Sequence, residues 1–484
     1  MTPRAYAAVL FLLVAFWFGA AAFTLLQEGY VSDSVLREIS TYLVFSTHAT
    51  AARDLGFLPI SLPVLGYGAL APLLGPLHPV LPYVLGVVGT ALLVLAAVPS
   101  IQRQIGRAGT LLMVVCVALN PIVLWFATAG GGKSIALFLF YGMCVFLCRI
   151  HDRHDLNAYV KFAFCGVGFL LADPTATPVC LAMLPWIPFA ARPAFVVTQP
   201  LAFYLITCTP VAMTLCALVY LNWSVFGYVA PFVTPLNGGP GQDFPWNRVL
   251  PTAGLSYRMA ELLRFLLYAV VFFPSVVMFS GLARASRDMP YLAIVLSLVT
   301  APFLVLVCGL PYHPLDYLPY LAAPLLVLAQ RVTPSRRIAL LGVQILSVGV
   351  GWGALALPGW SSGHGWTEAL GGTPVALYRD EMKVGQWITQ RDRTTLLDPL
   401  AHYRVIAFCG HVGKLVFPPG DAGAIQGRLP AADHLLVTPP DSSDAQDAQV
   451  DRISQSHPDL WADGLPHYSL ALEQGAYRIW ERVR

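Results

Sequence analysis

Apolar residues fill most of the first 357 positions in long blocks, and polar residues gather between the blocks. A block of about 20 apolar residues matches the length of a helix that crosses a bilayer. About eleven such blocks can be marked, at 7–26, 79–98, 110–127, 134–150, 158–172, 175–190, 200–221, 262–280, 290–308, 315–330 and 337–357. Prolines interrupt several of them. The first block lacks a small-x-small cleavage site leading into a soluble domain, so it reads as a retained helix and not as a signal peptide. Two long segments, 27–78 and 222–261, separate blocks on one side of the series. No clear internal repeat is present.

The pattern changes after residue 357. TTLLD (Thr394–Asp398) and HLLVT (His434–Thr438) read as short buried strands. ALYRDEMKVGQWITQ (Ala376–Gln390) has the spacing of an amphipathic helix, apolar at Ala376, Met382, Val384, Trp387 and Ile388. HYSLAL and YRIWER flank EQGA, a closing hairpin. The predicted fold class is a polytopic α-helical membrane protein, about eleven transmembrane helices over 1–357, followed by a small α/β domain over 358–484.

Composition agrees. Of 484 residues, 57% are hydrophobic and 11% charged, where soluble domains run near 25% charged. Charge then sets an orientation. Within residues 1–357, with the N-terminus in the cytoplasm, twelve Lys and Arg fall on the inner side and six on the outer side. Basic residues are retained on the cytoplasmic side during insertion, so the bias supports this arrangement. An odd number of spans puts the C-terminal domain outside the cytoplasm. The expected location is the bacterial inner membrane, with that domain periplasmic, and no nucleic-acid partner is expected. The nine cysteines show neither a disulfide framework nor metal-ligand spacing; Cys144 and Cys148, one helical turn apart, read as packing residues.

The stretch WFATAGGGKSIALF (Trp125–Phe138) ends in the Gly-Lys-Ser of a phosphate-binding loop. A P-loop needs another glycine five positions before the one in Gly-Lys-Ser, and a strand before that. Here Ala127 takes the glycine position and apolar helices flank the turn. The nucleotide reading fails, but a glycine turn, a helix start at Ser134 and the cation Lys133 still describe an anion site at the outer surface. The plain alternative is a tight turn between helices.

Eight of the eleven acidic residues outside the tail fall on the outer side. Asp33 lies just past the first block in EGYVSDSVLREISTYLV, on a segment whose spacing lays it along the membrane surface. A partly desolvated carboxylate there is expected to have raised proton affinity and to accept a proton from an attacking hydroxyl; the alternative is a helix N-cap. Asp173, in GFLLADPTATP, stands at the outer end of a block, either facing the bundle interior or capping. CGLPYHPLDYLPYLAAP brings Tyr312, His313, Asp316 and Tyr317 to the mouth of another.

In the order of these features the chain resembles the membrane-embedded glycosyltransferases of the C superfamily (GT-C), which use polyprenyl-phosphate sugars and include protein mannosyltransferase-like and aminoarabinose transferase-like proteins. The resemblance rests on the long outer loop bearing Asp33, the proline-containing run LGFLPISLPVLGYGALAPL, the Asn-Pro and small-residue turn of ALNPIVLWFATAGGGKSIALFLF, and GFLLADPTATPVCLAMLPW. PVAMTLCALVYLNWSVFGYVAPFV and DYLPYLAAPLLVLA add to it. It implies transfer of a sugar from a polyprenyl-phosphate donor to a cell-envelope acceptor (polysaccharide, lipid or protein), with Asp33 as the catalytic base. It also implies outer-side groups around the donor phosphate, with Lys133, Arg258, His313, Asp316, Asp173 and His48 as candidates. No cofactor is assigned, and a divalent cation is left open. Two departures stand out: Asp316 where the resemblance leads one to expect a phosphate-binding arginine, and Lys133 where an acidic residue is often found. The competing readings are a lipid or oligosaccharide transporter or flippase, and a noncatalytic assembly partner.

Overall fold

The computed structural model describes residues 2–47, 61–74, 79–128, 130–153, 155–173, 175–191, 193–226, 254–283, 288–308, 316–356, 364–410, 412–418, 429–440 and 451–483. Of the candidate residues, His48 and His313 lie outside these, as does most of the segment 222–261.

The helical part runs α1 (Pro3–Gln27), α2 (Asp33–Thr47), α3 (Leu62–Leu74), α4 (Leu81–Leu119), α5 (Pro121–Thr128), α6 (Gly131–Arg153), α7 (Leu156–Ala172), α8 (Ala176–Met183) and α9 (Pro200–Phe226). It continues with α10 (Leu255–Phe272), α11 (Pro274–Gly281), α12 (Met289–Val307), α13 (Ala322–Arg331) and α14 (Arg337–Leu355). Among the described residues six helices are long and apolar enough to cross a membrane, or seven if the bent pair α10 and α11 is one span. Helix α1 shows the pattern well. Leu10, Phe18 and Leu25 are buried against the bundle, while Leu12, Leu13 and Phe16 are exposed. A helix apolar on both faces suits lipid on one side and protein on the other.

Several expected spans are divided, each for a local reason. The run α4 contains Gly106 at φ 75° and ψ 178°, outside helical geometry. A Cβ on Gly86 would sit 2.7 Å from the Ala127 carbonyl oxygen, so the chain returns past Gly106 to the level it left: two arms of a hairpin, as the blocks 79–98 and 110–127 require. The block 262–280, expected to be one helix, bends by 101° between α10 and α11. Pro274 drives Phe273 out of the helical region, to φ −135° and ψ 51°. The carbonyl freed at Phe272 accepts a hydrogen bond from Asn120 Nδ2 at 2.8 Å. Asn120 itself ends the second arm of α4, and its Oδ1 accepts from the Ile122 amide at 3.0 Å. Trp352 Nε1 donates to the Leu119 carbonyl at 2.9 Å. Breaks at this depth persist because neighbouring side chains take up the released backbone groups. The block 175–190 is broken after Met183 and resumes as a four-residue helix, Ile187–Ala190, and 315–330 begins as a 3-10 turn, Leu318–Leu321, before the ten-residue α13.

After α14 come α15 (His364–Leu370), α16 (Arg379–Thr389), β1 (Thr395–Leu396), α17 (Tyr403–Cys409), β2 (Leu415–Val416), β3 (His434–Val437), α18 (Arg452–Ser456), β4 (Tyr468–Gln474) and β5 (Tyr477–Arg482). The strands form one sheet in the order β2-β1-β3-β5-β4, parallel among the first three and antiparallel at the closing hairpin. Successive side chains on a strand point to opposite faces. Leu436 and Ile479 join the core that continues into the helical bundle. Leu435, Val437 and Trp480 face a second cluster with Ile453 and Leu460.

Candidate functional site

The site is built around α2. Its first turn is capped by Ser32, whose hydroxyl oxygen accepts from the Val35 amide at 3.3 Å; the capping alternative for Asp33 is therefore taken by its neighbour. The Asp33 carboxylate is left to longer-range partners. Arg37, one turn on, donates through Nε to Oδ2 at 3.0 Å. Arg404 of α17 donates through Nε to Oδ1 at 2.9 Å, and the Tyr403 hydroxyl donates to the same oxygen. The Arg37 guanidinium lies over the Tyr403 ring, 4.7 Å from its centroid. Behind Arg404 stand the Tyr378 ring at 4.9 Å and Glu381 Oε1 at 3.9 Å.

These partners reverse an expectation. Burial alone would raise the proton affinity of Asp33, but Arg37 and Arg404, together with the Tyr403 hydroxyl, outweigh it and hold the carboxyl below its ordinary value. Asp33 is a carboxylate kept ionised, not one poised to hold a proton. The converse appears on Tyr403, whose hydroxyl is pushed up to about 12, by burial first.

The glycine turn comes to the same end of the bundle. Gly130, at φ 120°, and Gly132 carry the chain past α2. The Gly132 amide donates to Glu38 Oε1 at 2.9 Å. The expected anion at the head of this helix is thus a side chain of α2. Ser134 is fully buried, its hydroxyl 3.0 Å from that of Thr90, so the Gly-Lys-Ser stretch is a close-packed helix start with no free serine for a metal-nucleotide.

Lys133 pairs with Asp316, Nζ to Oδ1 at 2.9 Å, and lies 5.6 Å from the Trp125 ring centroid. The two departures from the family pattern are therefore each other's partners. Asp173 ends α7 and accepts from the Thr175 amide at 2.7 Å and the Thr175 hydroxyl at 2.5 Å, so it caps the following segment. The Thr175 hydroxyl in turn lies 3.1 Å from that of Tyr320. Tyr320 packs edge-on against Phe126, Phe140 and Phe169 and forms an apolar floor under the polar groups. A further link joins the two halves: Trp125 hydrogen-bonds the Tyr30 hydroxyl just before α2.

Asp33, Lys133, Asp316 and Asp173 are thus gathered around one end of the bundle. The Arg258 guanidinium donates to the Val307 carbonyl at 3.2 Å. Among the described residues no three His, Cys, Asp or Glu side chains are close enough to hold a metal ion. The residues missed by the sequence are Glu38, Tyr403, Arg404, Tyr378 and Glu381. The spacing of Asp33 and Arg37, four apart on one helix face, was the one available signal for this cluster.

No family model and no curated protein matches the chain. Among solved structures it is similar to the crystal structure of ArnT from Cupriavidus metallidurans bound to undecaprenyl phosphate, with a TM-score of 0.58 at 11% identity, over 98% of this chain and 97% of that one. At this identity the likeness concerns the fold, and it spans the helical bundle and the C-terminal sheet together: the chain has an ArnT-like fold.

Proposed function

We propose that the chain is a GT-C-type glycosyltransferase that moves a sugar from a polyprenyl-phosphate donor to an acceptor hydroxyl or amine at the outer face of the cytoplasmic membrane. On this reading the unit over residues 358–484 lies in the periplasm. The observation that carries it is a carboxylate held ionised by two arginines, Asp33, beside a lysine-bearing turn at one end of an ArnT-like bundle.

The chemistry follows from these groups. Transfer breaks the bond between the sugar's anomeric carbon and the phosphate oxygen and forms one to the acceptor. Charge develops on the departing phosphate, which needs cations or N–H donors. Lys133 supplies one by exchanging Asp316 for a phosphate oxygen. The anomeric carbon becomes oxocarbenium-like, so the acceptor proton turns acidic late, as the new bond forms. A carboxylate of low proton affinity then suffices to orient the hydroxyl and receive that proton. Ionised carboxylates offer about four acceptor positions, and the three described donors leave Asp33 room for one more. The apolar helices provide a surface for the lipid chain, and exclusion of water protects the donor from hydrolysis.

The reading is tested by incubating purified chain with a panel of radiolabelled polyprenyl-phosphate sugars and following free lipid phosphate and labelled product. Turnover with one donor supports it. Movement of labelled lipid across vesicles with the sugar still attached would replace it with a transporter.

A further inference from the structure

The C-terminal α/β unit reaches the segments that carry the site at three points. The Val375 amide donates to the Glu28 carbonyl at 2.8 Å, on the turn just before α2. There Gly29 has φ 78°, and a Cβ would lie 2.8 Å from the Val375 carbonyl oxygen. Trp366 of α15 is buried, donates through Nε1 to the Thr128 hydroxyl at 3.2 Å, and stacks on Trp352 with centroids 5.9 Å apart and planes 13° from parallel. Thr128 closes α5, at the start of the glycine turn. The third point is α17, which packs along α2 and delivers Tyr403 and Arg404 to Asp33 Oδ1.

We propose that the C-terminal unit completes the Asp33 site, with Arg404 and Tyr403 as positioning residues that fix the rotamer and the charge of the carboxylate presented by α2. Asp33 Oδ2 is held by Arg37 from its own helix, and Oδ1 is held only from α17 among the described residues. A carboxylate pinned at both oxygens cannot rotate about its terminal bond. The Arg404 guanidinium is itself fixed, between the Tyr378 ring and Glu381, and Glu381 accepts from the Tyr477 hydroxyl at 3.2 Å. The sheet strand β5 therefore braces α16, α16 braces Arg404, and Arg404 braces Asp33. The groups that face Asp33 are Arg37 from α2, Tyr30 just ahead of it, Tyr403 and Arg404 from α17, and Tyr378 ahead of α16; Glu381 stands behind Arg404, and Lys133 beyond Arg37. Removing Arg404 takes one of two cations from the carboxylate, so its ionisation moves to higher pH. In catalysis, which rests on the transfer reading above, the same loss moves the acid limb of the rate profile upward and lowers kcat with little change in donor KM, because Arg404 acts through Asp33 and not on the donor.

The test uses the full chain in detergent with 13C-carboxyl-labelled aspartate. The infrared difference between the native chain and Asp33→Asn isolates the Asp33 carboxylate band, and its loss is followed with falling pH. The midpoint is expected to rise by about one pH unit or more in Arg404→Gln, to rise by less in Tyr403→Phe, and to recover at least half the change in Arg404→Lys. A midpoint left at the native value in folded Arg404→Gln, or in folded Tyr403→Phe should the first variant not fold, overturns the proposal. So does a kcat reduced equally at every pH with the limb unmoved, which is the result of a merely structural contact. A native chain that turns over no donor removes the transferase reading, and the infrared midpoint still decides whether α17 sets the state of Asp33.

Discussion

The Gly132 amide donates to Glu38 Oε1 at 2.9 Å, so the head of α6 already holds an anion supplied by α2. This bond ties the two segments that carry Lys133 and Asp33. Glu38→Ala takes the carboxylate acceptor from that amide, at a cost of about 1–3 kcal/mol; Glu38→Gln keeps an acceptor oxygen and loses less. Unfolding in detergent, followed with denaturant for both variants, checks the order.

Close approach at the same turn gives a second prediction. A Cβ on Gly132 would meet Pro63 Cγ at 2.8 Å, Glu38 Oε1 at 3.1 Å and the Ala172 carbonyl oxygen at 3.2 Å. Three elements converge there, and two of the neighbours cannot retreat without moving backbone. Gly132→Ala is expected to cost about 1–3 kcal/mol by overpacking. Gly342→Ala in α14, where nothing lies within 4 Å, is expected to be harmless. Equal stability of the two variants would contradict the packing described.

The Lys133–Asp316 pair joins segments 183 positions apart at 2.9 Å. Each single change, Lys133→Ala or Asp316→Ala, leaves a half-buried charge without this partner. The double variant is expected to be more stable than the sum of the single effects predicts, by about 0.5–3 kcal/mol. A double-mutant cycle on unfolding midpoints measures it, and strict additivity would mean that the pair does not interact.

Acid should act through Asp33. Its carboxyl is held below the ordinary value, burial working against the Arg37 and Arg404 charges that prevail. Such a group contributes stability above the unfolded-state value, near 4 for an aspartate, and the contribution is lost as pH falls through the lower folded value. The native chain is therefore expected to exceed Asp33→Asn in melting temperature at neutral pH, with the gap closing in acid. A gap that widens on acidification would mean a raised and not a lowered proton affinity.

Much of the fold was legible because its signal is local. Block length located α1, α6, α12 and α14, and alternation with a Gly turn located the hairpin of β4 and β5. Hydropathy carries no direction, however, so the 101° bend at Phe273 was invisible although Pro274 marked its place. The site was legible in part for the same reason. Asp33 and Arg37 share a helix face and could be paired from spacing. Lys133 and Asp316 were both noticed, but only as unexpected charges, because nothing in a sequence brings the glycine turn to the mouth of a later helix. Arg404 stands 371 positions from Asp33, in a tail whose charge pattern is ordinary. Glu38 was one outer acid among eight.

The central claim is that Asp33 is the carboxylate at which a polyprenyl-phosphate sugar meets its acceptor. The most direct measurement is the initial rate of labelled-sugar release and transfer by the native chain and by Asp33→Asn, at neutral pH, with folding of both verified. Transfer by the native chain, reduced by about 10²–10⁴-fold in the variant, is the expected result for loss of a general base. Equal rates in the two proteins would remove Asp33 from the mechanism.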